Sequence, residues 1–174
     1  MEEHEAPLYR IGQGYDIHRL VPGEPLWLGG IQIDSPVGSL AHSDGDVILH
    51  SLIDALLGAC GLGDIGEFFP PSDAKHSNRP SIEFLNEVLP LLNSVGTSKA
   101  AYQLANVDIT VFLEKPPLKS YKLRIREFLA AVLNRPLDCI TVKAKTAEGF
   151  PPVGTQEAIA ASVTVLLTRT NTSA

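Results

Sequence analysis

Residues 40–73 read LAHSDGDVILHSLIDALLGACGLGDIGEFFPPSD, from Leu40 to Asp73, and the rest of the chain is organised around them. The stretch sets two His, five Asp and one Glu around an apolar run. Its opening, LAHSDGD, is polar, holds Gly45, and ends in Asp44 and Asp46, either of which can cap a helix. From Val47 the apolar residues Val47, Ile48, Leu49, Leu52, Ile53, Leu56 and Leu57 leave a polar set of His50, Ser51 and Asp54. This pattern predicts a helix, stopped by Gly61 and Gly63. His50 and Asp54 are four apart and share a face of it. Ionisable groups on so apolar a helix need partners, and a divalent metal ion is one such partner.

Working outward, Tyr9 to Leu20 (YRIGQGYDIHRL) alternates in the manner of a strand. Asp16 and His18 are two apart, so their side chains leave the same face. Leu26 to Ile33, with Gly29-Gly30 in the middle, reads as a hairpin. Pro70 to Pro80 reads as a loop, and Ser81 as the cap of a helix reaching about Ser94, kinked or ended by Pro90. Three more strands are expected at Ala105–Leu113, Cys139–Thr146 and Glu157–Thr168, and a helix at Leu118–Leu133 with Leu123, Phe128, Leu129 and Val132 as its apolar face. The alanines of the 157–168 segment suit a helix, but Ile159, Ala161, Val163, Val165 and Leu167 alternate, which favours a strand.

A length of 174 residues suits one domain, 1–174, with residues 1–8 as a disordered tail. The net charge of -6 argues against a nucleic-acid or anionic-membrane binder. Two cysteines, Cys60 and Cys139, read as buried free thiols in a reducing compartment. No apolar run reaches transmembrane length, and MEEHEAPL, short and acidic, reads as neither a signal nor a transit peptide.

Four constellations carry chemistry, one of them Asp64-Ile65-Gly66, a short acidic turn after Gly63 that suits the hydroxyls of a polyol or simply ends the helix. Asp16, His18 and His50 form a three-ligand set of the kind that suits zinc with one open position; the plain alternative is a surface pair and a helix-edge histidine. His42 and Ser43 lack the G-x-S-x-G setting of a nucleophile, and read by themselves as part of a capping loop. Lys143, Lys145, Thr146 and Glu148 at a strand end suit phosphate oxygens and a hard cation, or simply a solvated end. The GxG of Gly12 and Gly14 carries almost no weight for nucleotide binding.

Taken together, RIGQGYDIHRL and LAHSDGDVILHSLIDALLGACGLGDIG, with support from NVDITV, VKAKTAE and the ending at Ala160, resemble the 2-C-methyl-D-erythritol 2,4-cyclodiphosphate synthase family from about Arg10 to Leu167. The resemblance implies an α/β (α+β) sandwich, a mixed four-stranded sheet faced by helices, assembled as a homotrimer with the sheets around the threefold axis. It implies a lyase of the non-mevalonate isoprenoid pathway that turns 4-diphosphocytidyl-2-C-methyl-D-erythritol 2-phosphate into a cyclic diphosphate and CMP. By the same resemblance Asp16, His18 and His50 hold zinc, and Glu148 holds magnesium or manganese with the substrate. His42 and Ser43 match a mobile catalytic loop, Asp54 a support of the zinc site, and Lys145 and Thr146 the phosphate contacts. Asp64, Ile65, Gly66, Phe69 and Asp73 match the methylerythritol contacts. Leu113, Lys115, Pro116, Leu118, Ala144 and Thr146 match the cytidine loops, between subunits.

The implied partners are this small cytidine diphosphate conjugate and two further copies of the chain, with no nucleic acid and no membrane. The implied location is the cytoplasm, or the plastid stroma for a mature form. Some positions depart from the family pattern: Pro71 stands where an acid is common, Lys115-Pro116-Pro117 replaces Ala-Pro-Lys, and Thr155 replaces an arginine near the threefold cavity. A zinc phosphohydrolase and a non-catalytic trimeric binding protein remain the alternatives. Val153, Ile159 and the strand beyond are expected to supply apolar surface for the trimer.

Overall fold

The computed structural model describes residues 5–76, 79–96 and 98–170. Its frame is a five-stranded mixed sheet in the order β4-β1-β7-β5-β6, built from β1 (Tyr9–Pro22), β4 (Val37–Leu40), β5 (Tyr102–Phe112), β6 (Ile140–Lys145) and β7 (Ala158–Arg169). All neighbours are antiparallel except β5 and β6, which run parallel. A parallel pair needs a crossover, and α4 (Lys122–Val132) supplies it. The four expected strands are present. The fifth, β4, was not legible: it is four residues long, contains Gly38 and Ser39, and has no alternation of its own. It forms because β1 offers it a partner from Arg19 to Pro22. The expected hairpin is also present, as β2 (Leu26–Leu28) and β3 (Ile31–Ile33), and β7 follows its alternation rather than its alanines.

The predicted central helix is α1 (Val47–Cys60), and eleven of its side chains are buried. It ends where Gly61 takes a left-handed φ of 71°, a conformation glycine adopts without a Cβ clash. Of the two capping candidates, Asp46 is the cap. Its Oδ1 accepts the N–H groups of Ile48 and Leu49 at 3.0 and 3.1 Å. The same carboxylate accepts Gly29 N–H at 2.9 Å and Gly30 N–H at 2.7 Å, so one fully buried side chain clamps the β2–β3 turn to the start of α1.

Gly12 and Gly14 have a packing role. A Cβ on Gly12 would lie 1.8 Å from the carbonyl oxygen of Ala55, and one on Gly14 2.0 Å from that of Ser51. Without side chains there, the backbone of α1 rests directly on β1. That contact sets His50 over Asp16 and His18.

The later helices differ from expectation in detail. After α2 (Ile65–Phe68), α3 spans Ser81–Val88 and passes at Leu89, one residue before Pro90, into a 3-10 turn, Leu89–Asn93. Pro80 is its N-cap and no side chain caps it, so Ser81 is the first helical residue rather than the cap. In α4, Ile125 and Leu129 are buried, while Leu123 is 53% exposed and does not belong to the apolar face. Residues 118–121 form a turn that delays the helix and leaves Leu118 buried. Both cysteines are free, but only Cys60 is buried; Cys139, in a 3-10 turn before β6, is partly exposed. The expected tail lies outside the described residues at 1–4; from Glu5, Arg169 bonds Glu5 at 2.9 Å and the Tyr102 hydroxyl donates to Pro7 O at 2.6 Å. No helix among the described residues is long and apolar enough to cross a membrane.

Candidate metal centre and the loops around it

Asp16 and His18 project from β1 toward α1, and His50 comes down from the first turn of that helix. Asp16 Oδ2 lies 2.9 Å from His50 Nδ1 and 3.1 Å from His18 Nε2, and the two ring nitrogens are 3.1 Å apart. Among the described residues this is the one group of His, Cys, Asp or Glu whose ligand atoms converge. Atoms bound tetrahedrally to zinc at about 2.0–2.1 Å sit roughly 3.3 Å apart, so the triangle needs to open by only a few tenths of an ångström. A carboxylate and two imidazole nitrogens are also the donors zinc takes. The residues fit the ion.

The electrostatics agree with a cation-binding role. Burial would raise the Asp16 carboxyl, but the His50 hydrogen bond and the two imidazoles outweigh it and hold it below the ordinary carboxylate range. Burial pushes His18 below the usual histidine value, against the pull of Asp16. Burial would also lower His50, yet its bond to Asp16 and the charges of Asp16, Asp46 and Asp44 turn the balance upward.

Behind His50 lies a second set that the sequence did not reveal. Its Nε2 stands 2.9 Å from Ser81 Oγ and 3.1 Å from Ser43 Oγ. The Ser81 hydroxyl donates to Asp44 Oδ1 in a short hydrogen bond, and Ser81 N–H donates to Asp44 Oδ2 at 2.8 Å. A serine after a proline at a helix start reads as a cap, and only the fold turns it inward.

The remaining residues group around other elements. His42 is exposed beside Ser43. Asp54 Oδ1 accepts the N–H of Ile65 at 2.8 Å, so its hydrogen bond braces the 64–66 turn rather than a ligand of the triad. Asp64 caps α2 through Glu67 N–H at 3.0 Å, next to Ile65 and Gly66. Phe69 stacks on Phe84 at 4.6 Å between ring centroids. Phe69, Leu113 and Leu118 are all buried in the single chain. Asp73 pairs with Lys75 at 2.9 Å on the surface.

On the far side of the sheet, Leu113 N–H donates to Lys145 O at 3.0 Å, and Ala147 N–H to Glu114 Oε2 at 3.1 Å. These bonds tie the loop of Lys115 and Pro116 to the end of β6. Ala144 is partly buried, whereas Lys145 and Thr146 are exposed. Lys143 is engaged by Asp108 at 2.6 Å. Thr146 Oγ1 donates to Glu148 Oε1 at 2.6 Å, and Glu148 holds a left-handed φ of 50°, uncommon outside glycine.

The two groups do not meet within one chain. Asp16, Ala161, Val111 and Ala144 occupy one row across β1, β7, β5 and β6. Three inter-strand steps of about 4.8 Å separate its ends by roughly 14 Å. The apolar surface left open is also not where it was expected. Val153 and Ile159 are already buried in the single chain. Tyr9, Ile11, Tyr15 and Ile17 are exposed instead, on the β1 face opposite Gly12, Gly14 and Asp16.

The family model that matches the chain is the YgbB family, over residues 9–168. A 2-C-methyl-D-erythritol 2,4-cyclodiphosphate synthase of Treponema denticola is 44% identical over 158 residues, 91% of this chain and 95% of that one. The synthase of the same name from Xanthomonas oryzae pv. oryzae is 46% identical over 161 residues, 92% of this chain and 96% of that one. Among solved structures, the bifunctional IspDF of Campylobacter jejuni superimposes with a TM-score of 0.86 at 39% identity, covering 93% of this chain; the chain spans 42% of that protein. The CDP complex of IspF from Plasmodium falciparum has a TM-score of 0.80 at 37% identity, covering 94% of this chain and 97% of that one. With its strand–helix ligand triad and matches of this extent, the chain belongs to the YgbB family, that of the 2-C-methyl-D-erythritol 2,4-cyclodiphosphate synthases.

Proposed function

We propose that this chain is a zinc- and magnesium- or manganese-dependent phosphorus–oxygen lyase that converts 4-diphosphocytidyl-2-C-methyl-D-erythritol 2-phosphate to 2-C-methyl-D-erythritol 2,4-cyclodiphosphate and CMP. The carrying observation is the convergence of Asp16 Oδ2, His18 Nε2 and His50 Nδ1 within 2.9–3.1 Å of one another. In the reaction an oxygen of the 2-phosphate forms a bond to the β-phosphorus, the bond from that phosphorus to the bridging oxygen breaks, and CMP leaves with the electron pair. When bound, zinc at the triad and magnesium or manganese at Glu148 would supply positive charge to the phosphate oxygens.

The chain's own residues position the substrate and exclude water. Lys145 and Thr146 extend an ammonium and a hydroxyl toward phosphate oxygens. The 64–66 turn, braced by Asp54, offers the Asp64 carboxylate and main-chain groups to the hydroxyls of the methylerythritol. Ser43 stands beside His50 with His42 exposed next to it, which suits a loop that closes over the phosphates.

The roughly 14 Å between the triad row and the end of β6 favours a site completed by a second subunit. The exposed stripe of Tyr9, Ile11, Tyr15 and Ile17 favours a homotrimer packed through that sheet face, with cytidine held between subunits by the 113–118 and 144–146 segments. A cytoplasmic location suits this role.

The test is incubation with the diphosphocytidyl substrate and magnesium, followed by phosphorus NMR. A cyclic diphosphate with stoichiometric CMP is expected. Inorganic phosphate as the product would overturn the reading in favour of a hydrolase.

A further inference from the structure

We infer that Ser81 and Asp44 are positioning residues that hold a proton on His50 Nε2, so that Nδ1 is the nitrogen offered to the metal. The inference rests on the zinc reading of the triad. It begins from a proton count. A histidine that ligates through Nδ1 must carry its proton on Nε2, and that N–H needs an acceptor. Two hydroxyls are in reach, Ser81 Oγ at 2.9 Å and Ser43 Oγ at 3.1 Å. A hydroxyl can donate or accept, so neither decides the tautomer until its own proton is committed elsewhere.

Ser81 is committed. Asp44 accepts both its hydroxyl and its backbone N–H, one on each carboxylate oxygen. With the hydroxyl proton drawn to Asp44, only lone pairs of Ser81 Oγ remain for His50. Nε2 must then be an N–H, so the proton that a metal would displace is the one Nδ1 shares with Asp16 Oδ2, 2.9 Å away. Ser43 has no such backing among the described hydrogen bonds: its Oγ accepts the N–H of Gly45 at 3.2 Å, and that leaves its proton uncommitted.

The burial points the same way. Ser81 is fully buried at the first position of α3, a helix with no side-chain cap. A serine at a helix start serves most simply as a cap, and this one does not. Its hydroxyl is turned into the protein, onto two groups 31 and 37 residues distant in sequence. Asp44 is itself held in place, because its Oδ1 accepts Asp46 N–H at 3.2 Å beside the N-cap of α1. The run from Asp44 through Ser81 to His50 therefore joins the loop before α1, the start of α3 and the ligand triad.

Asp44→Asn provides a sharp variant because it keeps the shape. With its oxygen on Ser81 N–H, the new amide would donate to Ser81 Oγ and give up the Asp46 N–H that Oδ1 accepts. The hydroxyl proton would then turn toward His50 Nε2 and favour the proton on Nδ1, where it blocks the ion.

The experiment uses the whole chain stripped of metal, with zinc affinity measured by competition against a chromophoric chelator at pH 7.5. Ser81→Ala and Asp44→Asn are each expected to bind zinc about 10- to 100-fold more weakly, and Ser43→Ala by less than about threefold. Nitrogen-15 histidine spectra of the zinc-loaded protein should show a slowly exchanging proton on His50 Nε2 in the wild type and a much faster exchanging one in Ser81→Ala. A purely structural role for Ser81 would not speed that exchange selectively. Zinc affinities of Ser81→Ala and Asp44→Asn within about threefold of wild type would overturn the proposal. So would a larger loss in Ser43→Ala than in Ser81→Ala. Should Ser81→Ala not fold, judged by circular dichroism, Asp44→Asn decides alone. His50→Ala separates the two levels. If it keeps full zinc affinity, the triad reading itself is wrong; if it loses zinc while Ser81→Ala and Asp44→Asn do not, only the proton-setting role fails.

Discussion

Gly14 of β1 and Ser51 of α1 touch backbone to backbone: a Cβ at Gly14 would lie 2.0 Å from the Ser51 carbonyl oxygen. Ser51 is held on its other side by its own hydroxyl, which donates to Val47 O at 2.7 Å and is 3.1 Å from Ala161 O of β7. The helix therefore has no room to rise from the sheet without breaking buried hydrogen bonds. His50 is the neighbour of Ser51, so the height of α1 over β1 is also the distance between His50 and Asp16.

Gly14→Ala is accordingly expected to destabilise the metal-free protein by roughly 1–3 kcal/mol through overpacking. It should also weaken zinc binding by about tenfold or more, because ligand positions displaced in the apo protein must be restored on binding. Urea unfolding and chelator competition on the same preparation read both effects. Unchanged zinc affinity together with lost stability would show that α1 can lift without moving His50.

Zinc affinity should depend on pH with a sign set by the two histidines. Each must be deprotonated to ligate. His50 has its value raised despite burial, chiefly by its bond to Asp16, so in the metal-free protein it still holds a proton at pH values above 6.5. As the pH falls through that raised value, the binding constant should drop about tenfold per unit. His18 is held low by burial, so its proton competes only further down, where the slope steepens toward two protons. Titration of apparent affinity from pH 9 to pH 5 checks this; a decline that begins only below pH 6.5 would contradict the assignment of His50.

Glu148→Gln should lower turnover roughly a hundredfold or more while leaving zinc content at one equivalent. The variant can still accept the Thr146 hydroxyl that Glu148 Oε1 accepts at 2.6 Å, so local structure is preserved and only the charge is lost. Turnover against magnesium concentration, with elemental analysis alongside, distinguishes the outcomes. Normal magnesium dependence would remove Glu148 from the second metal site.

Light scattering at micromolar concentration should give about three times the 18.7 kDa of one chain. Tyr9, Ile11, Tyr15 and Ile17 are 63%, 70%, 53% and 43% exposed, a stripe of large apolar side chains on one strand. Ile11→Asp places a charge in its middle and should shift the mass toward one chain. A monomeric wild type would refute the trimer and leave the cytidine segments without a facing subunit.

No tight isoprenoid diphosphate is expected on the axis of the proposed trimer. Thr155, which the resemblance sets at the position of the family's arginine, donates its hydroxyl to Pro152 O at 3.1 Å and carries no charge for a phosphate. The two arginines that could replace it are engaged. Arg10 donates to Ala59 O at 3.1 Å and lies over the Tyr102 ring, and Arg169 pairs with Glu5. Calorimetric titration with geranyl diphosphate should show no saturation; salt-sensitive binding of one molecule per three chains would contradict this.

The sequence by itself determined the helix at 47–60, its glycine stop, four of the five sheet strands and the same-face pair of Asp16 and His18. These are properties of single segments, where the period of apolar residues states which face is buried, and a ligand pair two apart on a strand must share a side. Only the tertiary structure decided matters that depend on a second segment. Gly12 and Gly14 are silent until α1 lies on them. Val153 and Ile159 are apolar wherever they sit, and packing alone put them inside and left Ile11 and Tyr15 outside. Val37–Leu40 is a strand because β1 pairs with it. Ser81 and Asp44 are 37 residues apart, and each alone reads as a helix cap. A hydroxyl takes whichever partner lies nearest in space, and that choice is made when α3 docks beside His50.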